Sequence, residues 1–225
     1  MTTDLSVHDR TWSRLERATG AVGLTSIVLI FVAVIPIGDG EPRNQATVEE
    51  AARYYREAGE AWRELAFGLF PVSLMVFLWF AAGLSLVLRR VEPGPPWRST
   101  VALMSGVLLV AFGMVDTSSV AAAHRGDLID PVLAAYAWDV GIFGFANAWL
   151  ALGSFALASG LAARAGGFLP RWLAWLGIVS GALLVPARFM WSWEAVWIVP
   201  YLAMWVWMII TCVLLMRRRG ASAER

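Results

Sequence analysis

Residues 99–123 read STVALMSGVLLVAFGMVDTSSVAAA, an apolar run that exceeds the roughly 20 helical residues needed to cross a bilayer. The run contains one ionisable side chain, that of Asp116. A carboxylate that faces lipid near the middle of a membrane costs several kcal/mol, so Asp116 needs a partner, a proton or water. The sequence therefore predicts that Asp116 faces the interior of a helical bundle.

The whole chain has the composition of an integral membrane protein. Of its 225 residues, 59% are hydrophobic and 16% are charged, and the mean hydropathy is +0.63. Apolar runs of this length predict an all-α, polytopic membrane protein with six transmembrane helices in a single domain over residues 18–216. A cytoplasmic segment, 1–17, precedes that domain, and a basic cytoplasmic tail, 217–225, follows it. The predicted spans are 18–37, 65–88, 99–123, 140–162, 172–189 and 196–216.

The composition also excludes several kinds of chemistry. All 18 basic residues are arginine, so no lysine is present to form a Schiff base. Cys212 is the only cysteine, which rules out a disulfide within the chain and a cysteine metal cluster. The arginines form no basic patch, so no nucleic-acid partner is expected, and no cofactor or metal is predicted. The bias towards arginine, alanine, glycine and tryptophan indicates a GC-rich bacterial genome.

Two connectors carry helix signals of their own. Thr47 and Glu50 form a capping-box pattern, and the apolar spacing that follows predicts a short amphipathic helix on the outer membrane surface. The alternative is a solvated connector held by pairs such as Glu49–Arg53. Residues 131–163 are too long for one ordinary span. We therefore expect a short interfacial helix to begin at Asp130-Pro131, ahead of the fourth span.

The distribution of arginine sets the expected orientation in the membrane. Twelve arginines lie in the N-terminal segment, the turns at 89–98 and 164–171 and the tail, against six on the opposite side. The positive-inside rule then places both termini in the cytoplasm. With a bacterial source, this predicts a multi-pass protein of the plasma membrane.

The sequence also contains an internal repeat. A shift of 75 residues brings Phe80-Ala81 onto Phe155-Ala156, and Ser105-Gly106 onto Ser180-Gly181. The same shift aligns Pro95 and Trp97 with Pro170 and Trp172. Because the two units have the same orientation, the pattern predicts a parallel repeat of helical hairpins, spans 2–3 and spans 4–5.

The chain resembles a bacterial, largely actinobacterial, six-helix integral-membrane family that is catalogued only as a domain of unknown function. The residues that carry the resemblance are PPWRSTVAL (95–103), Asp116, FANAWLAL (145–152), PRWLAWLG (170–177) and ARFMW (187–191). It extends over residues 18–216, almost the whole chain. The resemblance implies a six-helix fold and no activity, and no catalytic residue follows from it.

Polar residues near the outer ends of the spans form the candidate site. At about 1.5 Å per residue, Asp116 and Arg188 lie at nearly the same depth, so we expect them to meet as a buried pair. The functional interpretation is an outward-opening pocket with tryptophan walls; the alternative is a structural ion pair ringed by an interfacial aromatic belt. His124-x-x-Asp127-x-x-Asp130 favours a solvated loop over a metal site. The candidate ligand-binding residues are Asp116, Arg188, Asp139, Glu64, Asn147, Glu194, Trp191 and Trp193.

Three functions remain open from the sequence. The first is the binding or movement of a small or lipophilic ligand through the outer pocket, with membrane lipids as further partners. The second is an intramembrane enzyme in which Asp116 acts as a general acid beside aromatic walls, as in isoprenoid cyclisation. The third is a structural or sensory membrane subunit without a ligand.

Overall fold

The computed structural model describes residues 2–38, 41–42, 46–118, 120–123, 128–190 and 193–218. Regular structure in these residues is helical, which confirms the predicted all-α class. A π-helical stretch, Leu65–Leu69, joins α3 to α4, and a 3₁₀ turn, Arg188–Met190, follows α8. The α-helices are α1 Thr2–Ile37, α2 Val48–Glu57, α3 Glu60–Glu64, α4 Phe70–Val91, α5 Trp97–Ser118, α6 Val120–Ala123, α7 Pro131–Ala165, α8 Arg171–Ala187 and α9 Glu194–Arg217.

In the described part of the chain, six helical stretches are long and apolar enough to cross a membrane, which confirms the predicted number of spans. This is the architecture of a multi-pass membrane protein. The stretches are Arg10–Ile37, Glu60–Val91, Trp97–Thr117, Pro131–Ala165, Arg171–Met190 and Val196–Arg217.

The six spans form a closed ring in sequence order. Each of α1, α4, α5, α7 and α8 packs on the next spanning helix, and α9 packs back on α1. Such neighbours run antiparallel because the connections between them are short. Across the ring, α4 also contacts α7, so the centre is filled where these two helices meet.

The two ends of the ring differ. At one end, the Arg90 guanidinium lies 4.8 Å from the ring centroid of Trp12, which brings the start of α1 to the turn after α4. Arg218, just after α9, stacks at 3.7 Å on the ring of Phe168 in the turn after α7. The beginning of α1, the end of α9 and both short turns therefore share one end, which we call the turn end. The opposite end carries α2 and α3, and we call it the α2 end.

Corresponding positions in the two hairpins make corresponding contacts. A Cβ on Gly106 would stand 2.6 Å from Ala81 Cβ, so α5 meets α4 there without space for a side chain. The shift of 75 residues maps this pair onto Gly181 and Ala156. A Cβ on Gly181 would lie 2.5 Å from both the Gly153 carbonyl oxygen and the Leu157 amide nitrogen. These two atoms belong to the turn of α7 that contains Ala156. The tight crossing thus recurs at the predicted place.

A second pair of positions repeats in the same register. The Ser85 hydroxyl donates to the Ser99 carbonyl oxygen at 2.6 Å. The corresponding residues are Gly160 and Ala174, and a Cβ on Gly160 would lie 2.8 Å from the Ala174 carbonyl oxygen. Both contacts agree with the parallel repeat, and superposition of the two hairpins on each other stays a prediction.

The two hairpins also touch each other through equivalent residues. The rings of Phe80 and Phe155, related by the shift of 75, lie 6.1 Å apart. Likewise, a Cβ on Gly166 would stand 2.5 Å from the carbonyl oxygen of its equivalent, Val91. Equivalent residues meet in this way only close to an axis that relates the units. The contacts therefore indicate a local pseudo-two-fold axis between the hairpins.

The expected break before the fourth span is wrong, because α7 is one continuous helix of 35 residues. It begins where predicted: the Asp130 carboxylate accepts from Val132 N–H at 2.9 Å, and Pro131 occupies the first turn. The first turns of α7 bury Ala134 and Trp138 against other helices. Tertiary packing of that kind extends a helix beyond the length that a membrane requires.

The capping box and amphipathic helix predicted from Thr47 are confirmed. Thr47 N–H donates to Glu50 Oε2 at 2.8 Å, and Glu50 N–H donates to Thr47 Oγ1 at 3.2 Å. The apolar face of α2 packs against α7 and α6, with Ala51, Ala52 and Tyr55 buried. The helix therefore covers the end of the bundle with its apolar face, and the expectation of a helix resting that face on lipid is wrong.

A local widening marks the start of the second span. The π-helical stretch Leu65–Leu69 lies immediately before Pro71. Proline has no N–H to donate, and its ring collides with the carbonyl group four residues earlier in a regular α-helix. The wider π turn relieves that collision. It brings Ala66 and Phe70 to the interior of the ring at the α2 end.

Candidate functional site

A cavity of about 190 Å³ lies inside the ring at the α2 end. Spans α1, α4, α5, α7 and α9 form its walls, and α2 and α3 form its roof. Phe77 and Leu152 are among the residues at its base. Beneath them the bundle is filled by Phe80, Phe155 and Trp207, each 0% exposed, so the cavity closes towards the turn end. A single water needs only about 10–15 Å³ of such space, so the cavity can hold a small molecule.

The cavity wall is mainly aromatic. Of the 25 described residues that line it, ten are aromatic and two are acidic, and none is basic. Large aromatic faces around an enclosed volume are typical of sites that hold apolar or cationic groups. The aromatic residues are Tyr54, Tyr55, Trp62, Phe70, Phe77, Trp138, Phe145, Trp149, Tyr201 and Trp205.

Asp116 lines the cavity from the last turns of α5, as the sequence predicts for an inward-facing carboxylate. Its position depends on close packing with α7. A Cβ on Gly144 would stand 3.1 Å from the Asp116 amide nitrogen and 3.4 Å from its Cβ. The glycine therefore lets α7 approach α5 at this level, and the approach directs Asp116 to the interior.

Glu41 is the second acidic residue of the cavity. Its N–H donates to the Gly38 carbonyl oxygen at 3.3 Å, in a turn that follows α1. This turn brings Glu41 Oε2 to 3.8 Å from where a Cβ on Gly38 would lie. Glu41 as a whole residue is exposed, but protein atoms surround its carboxyl group, and the resulting desolvation raises the pKa of Glu41 to about 7.

The charges of both acids affect the pKa of the Tyr54 hydroxyl group. Burial of Tyr54 raises its pKa above the ordinary value, and the negative charges of Glu41 and Asp116 raise it further. The two carboxyl groups therefore act on the same point of the cavity roof. A positive charge placed there would interact with both.

Tyr54 and Trp62 form a barrier in the roof of the cavity. The Tyr54 hydroxyl donates to the Ile37 carbonyl oxygen at 2.9 Å. Trp62 Nε1–H donates to the same oxygen and to Tyr54 Oη, each at 3.2 Å. The acceptor is one of the last carbonyl groups of α1, which have no partner within the helix. The two rings meet edge to face, with centroids 5.7 Å apart.

A second, more polar cavity of about 360 Å³ lies beyond this barrier. We call it the vestibule. It is lined by Glu50, Arg53 and Glu57 among other residues, and by Tyr54 and Trp62. Because the last two also line the aromatic cavity, a single pair of side chains separates the two volumes.

Three of the tryptophans that line the cavity have an unsatisfied donor. The indole N–H groups of Trp138, Trp149 and Trp205 have no hydrogen-bond partner within the described part of the chain. The residues are only 5%, 2% and 6% exposed, respectively. Buried N–H groups are normally hydrogen-bonded, so these three are exceptions. Their nitrogen atoms have almost no accessible surface, so the wall itself encloses them and they do not open onto the cavity.

The predicted pair of Asp116 and Arg188 is wrong. Arg188 follows the last residue of α8, and its Nε–H donates to Asn147 Oδ1 on α7 at 2.8 Å. Its guanidinium lies 5.7 Å from the ring centroid of Phe143. Arg188 and Asn147 thus join α8 to α7 and do not line the cavity, whereas Asp116 does. Asp116 packs against Gly144 of α7, whereas Arg188 contacts Asn147 and Phe143 of the same helix.

The other candidate residues lie away from the cavity or outside the described residues. Asp139 and Glu64 are exposed near the α2 end, and Trp193 is 67% exposed ahead of α9. Glu194 begins α9, but its side chain lies outside the described part, as do Trp191 and the loop residues His124 and Asp127. Asp116 is therefore the one candidate that the structure brings into the cavity wall.

Several residues of the cavity wall were not among the candidates. Phe145, Ala148, Trp149 and Leu152 follow the i, i+3, i+4, i+7 spacing of one helix face, a signal present in FANAWLAL. Glu41 had no comparable signal, because it lies in a connector where no periodicity fixes the direction of a side chain.

Comparison of the chain with family models, with curated proteins and with solved structures found no match. The resemblance to a bacterial membrane family of unknown function therefore stays a prediction.

Proposed function

We propose that this chain binds a small, largely apolar ligand in the aromatic cavity and exchanges it through the vestibule. The observation that carries the proposal is the cavity of about 190 Å³, with ten aromatic and two acidic residues among the described residues of its wall. A purely structural bundle gains by filling such a volume, because empty space in a core forfeits packing energy. In the other half of the same ring, the interior is filled.

The proposal includes an orientation and a location. The beginning of α1, the end of α9 and both arginine-bearing turns lie at the turn end, and the positive-inside rule assigns that end to the cytoplasm. The vestibule then opens to the outer side of a bacterial plasma membrane. The absence of lysine and the abundance of arginine, alanine and tryptophan support a bacterial source.

Cysteine labelling tests this orientation. Cys212 is buried, so a membrane-impermeant maleimide applied to intact cells should report introduced cysteines. We expect Glu49→Cys in α2 to react and Pro93→Cys in the turn after α4 to remain unlabelled until the cells are opened. The reverse pattern would overturn the orientation.

Mass spectrometry of ligands that co-purify from native membranes tests the binding function. The full chain is compared with Ala148→Phe, which adds a ring inside the cavity. The matched control is Ala111→Phe, which adds the same ring at an exposed position on α5. Folding of both variants is first verified by thermal unfolding.

We expect a small molecule to accompany the unaltered chain and Ala111→Phe, and to be lost from Ala148→Phe. If the three preparations carry the same molecules, the cavity is not their binding site. The structural or sensory function would then be favoured.

A second candidate function is enzymatic, because the cavity contains a second acid. The sequence placed no second acid beside Asp116, the proposed general acid. In the structure, Glu41 lines the same cavity as Asp116. Two carboxyl groups in different environments can divide the roles of acid and base. Conversion of the co-purified molecule on incubation with the chain, absent from Asp116→Asn, would favour this function over binding alone.

A further inference from the structure

We infer that the ligand of the aromatic cavity is an organic cation, such as an amine or a quaternary ammonium compound, with an apolar body. The inference rests on the proposed function and names the class of molecule that the same cavity recognises. It is carried by charge and by the nature of the walls.

The charge of the cavity is negative in its described part. Glu41 and Asp116 line it from different elements, and no arginine or histidine is among the described lining residues. Their charges meet at the Tyr54 hydroxyl in the roof. Two carboxylates that share one volume repel each other, and a cation bound between them relieves that repulsion.

The aromatic walls can stabilise a cation that has lost its water of hydration. The faces of tryptophan and tyrosine rings carry negative potential and bind quaternary ammonium groups, which cannot donate hydrogen bonds. Trp138, Trp149, Tyr201 and Trp205 line the cavity at the level of the membrane spans. A metal ion is not expected there, because ten aromatic residues leave few oxygen ligands.

The vestibule supports the same class of ligand. Among its described lining residues, Glu50 and Glu57 are acidic and Arg53 is basic, so acidic side chains outnumber basic ones there. An excess of one charge along a narrow path raises the local concentration of ions of the opposite sign. The path from the vestibule to the cavity thus favours cations throughout.

The test compares two compounds of the same shape. Benzyltrimethylammonium is a hydrophobic cation, and neopentylbenzene replaces its nitrogen by carbon and is neutral. Binding to the full chain in lipid nanodiscs is measured by calorimetry and by the shift in Tm. We expect the cation to bind at least about tenfold more tightly than the neutral compound, which corresponds to about 1.4 kcal/mol.

Variants assign this preference to the two acids. Glu41→Gln and Asp116→Asn should each weaken binding of benzyltrimethylammonium about tenfold and leave binding of neopentylbenzene unchanged. Asp139→Asn removes a carboxylate that is exposed and outside the cavity, so it should change neither affinity. If Asp116→Asn does not fold, Glu41→Gln in the connector still tests the inference.

The outcomes separate this inference from the proposed function. If both compounds bind equally, and Ala148→Phe abolishes both, the cavity binds ligands without regard to charge and the inference is overturned. If neither compound binds, the inference is also overturned, and the co-purified ligand alone decides the proposed function. A preference for the cation that survives in both Glu41→Gln and Asp116→Asn would likewise overturn it.

Discussion

At the turn end of the bundle, the buried carboxylate of Glu92 accepts from the N–H groups of Ser99 at 3.0 Å and Arg98 at 3.1 Å. It also pairs with the Arg98 guanidinium at 3.3 Å. At the α2 end, Glu41 and Asp116 share a cavity whose described lining contains no basic side chain. The same chemical group thus lies in a compact set of hydrogen bonds at one end and lines a cavity at the other.

This difference separates a structural charge from the charges that we propose to bind a ligand. Glu92 caps the first turn of α5, where free N–H groups need acceptors, and the chain itself supplies every partner. The acids of the cavity lie instead beside a volume large enough for a guest. A charge whose surroundings are completed by a molecule from outside is the usual mark of a binding site in a membrane protein.

The largest difference in stability is expected between two alanine-to-phenylalanine substitutions, one in each half of α7. Ala156 is 0% exposed in the filled half, so Ala156→Phe should overpack the core and destabilise the chain by more than about 3 kcal/mol. Ala148 lines the cavity, so Ala148→Phe should leave the free energy of unfolding nearly unchanged. Thermal unfolding in one detergent measures both. Equal losses would show that the two halves are packed alike.

A second prediction concerns the glycines that bring helix backbones together. Gly181→Ala places a methyl group 2.5 Å from two backbone atoms of α7 that cannot move aside, so we expect a loss of about 3 kcal/mol. At Gly68 a Cβ would meet nothing within 4 Å, so Gly68→Ala should be neutral or slightly stabilising. Unfolding midpoints of the two variants check this. A tolerated alanine at position 181 would contradict the close crossing of α7 and α8.

The sequence predicts the spans well because each is a long apolar run, and a membrane leaves few alternatives to helix. It misplaces the partner of Arg188 for a geometric reason. The rise per residue fixes the depth of a side chain, but successive residues turn by about 100°, and only the packing of the ring decides which sides meet. Arg188 follows α8, which lines no part of the cavity in the described residues.

The length of α7 and the role of Glu41 were hidden for other reasons. A membrane-thickness argument predicts a break in residues 131–163, yet the packing of Trp138 beneath α2 keeps the helix intact. Glu41 reaches the cavity through a turn after α1, and turn geometry is not written in a hydrophobic pattern. Asp116 was predictable, because a lone acid in an apolar run must face inwards.

The third prediction uses pH to compare the acids of the two ends. The pKa of Glu41 is raised to about 7, so its contribution to stability is fully present below its ordinary value of 4.5 and is lost as pH rises through about 7. Burial alone would raise the pKa of Glu92, but hydrogen bonds from Ser99 and Arg98 lower it below the ordinary value. The contribution of Glu92 is therefore present above pH 4.5 and is lost as pH falls through its lowered pKa.

Thermal unfolding between about pH 2 and about pH 9 measures this prediction. Relative to the unaltered chain, Glu41→Gln should remove a fall in Tm that occurs as pH rises from 4.5 to about 7, and Glu92→Gln should remove part of the fall on the acid side. If Glu41→Gln leaves the profile around neutral pH unchanged, its carboxyl group is solvated and does not belong to the cavity.

The smallest effect on stability is expected at the barrier between vestibule and cavity. Tyr54→Phe removes the bond from the hydroxyl to the Ile37 carbonyl oxygen and one acceptor of Trp62 Nε1–H, while the bond from Trp62 to Ile37 remains. We expect the chain to lose about 1 kcal/mol of stability. Easier opening should make the association and dissociation rates of the co-purified ligand about fivefold faster.

The two rates distinguish a barrier from a binding residue. A barrier changes both rates by the same factor. It leaves Kd unchanged, because Kd depends only on the free energies of the free and the bound states and not on the height of the barrier between them. Stopped-flow displacement of the ligand measures the rates, and Tyr136→Phe, at an exposed tyrosine on α7, is the matched control. If only dissociation becomes faster in Tyr54→Phe, the hydroxyl binds the ligand directly. Tyr54 would then belong to the wall of the site, and access to the cavity would lie elsewhere in the ring.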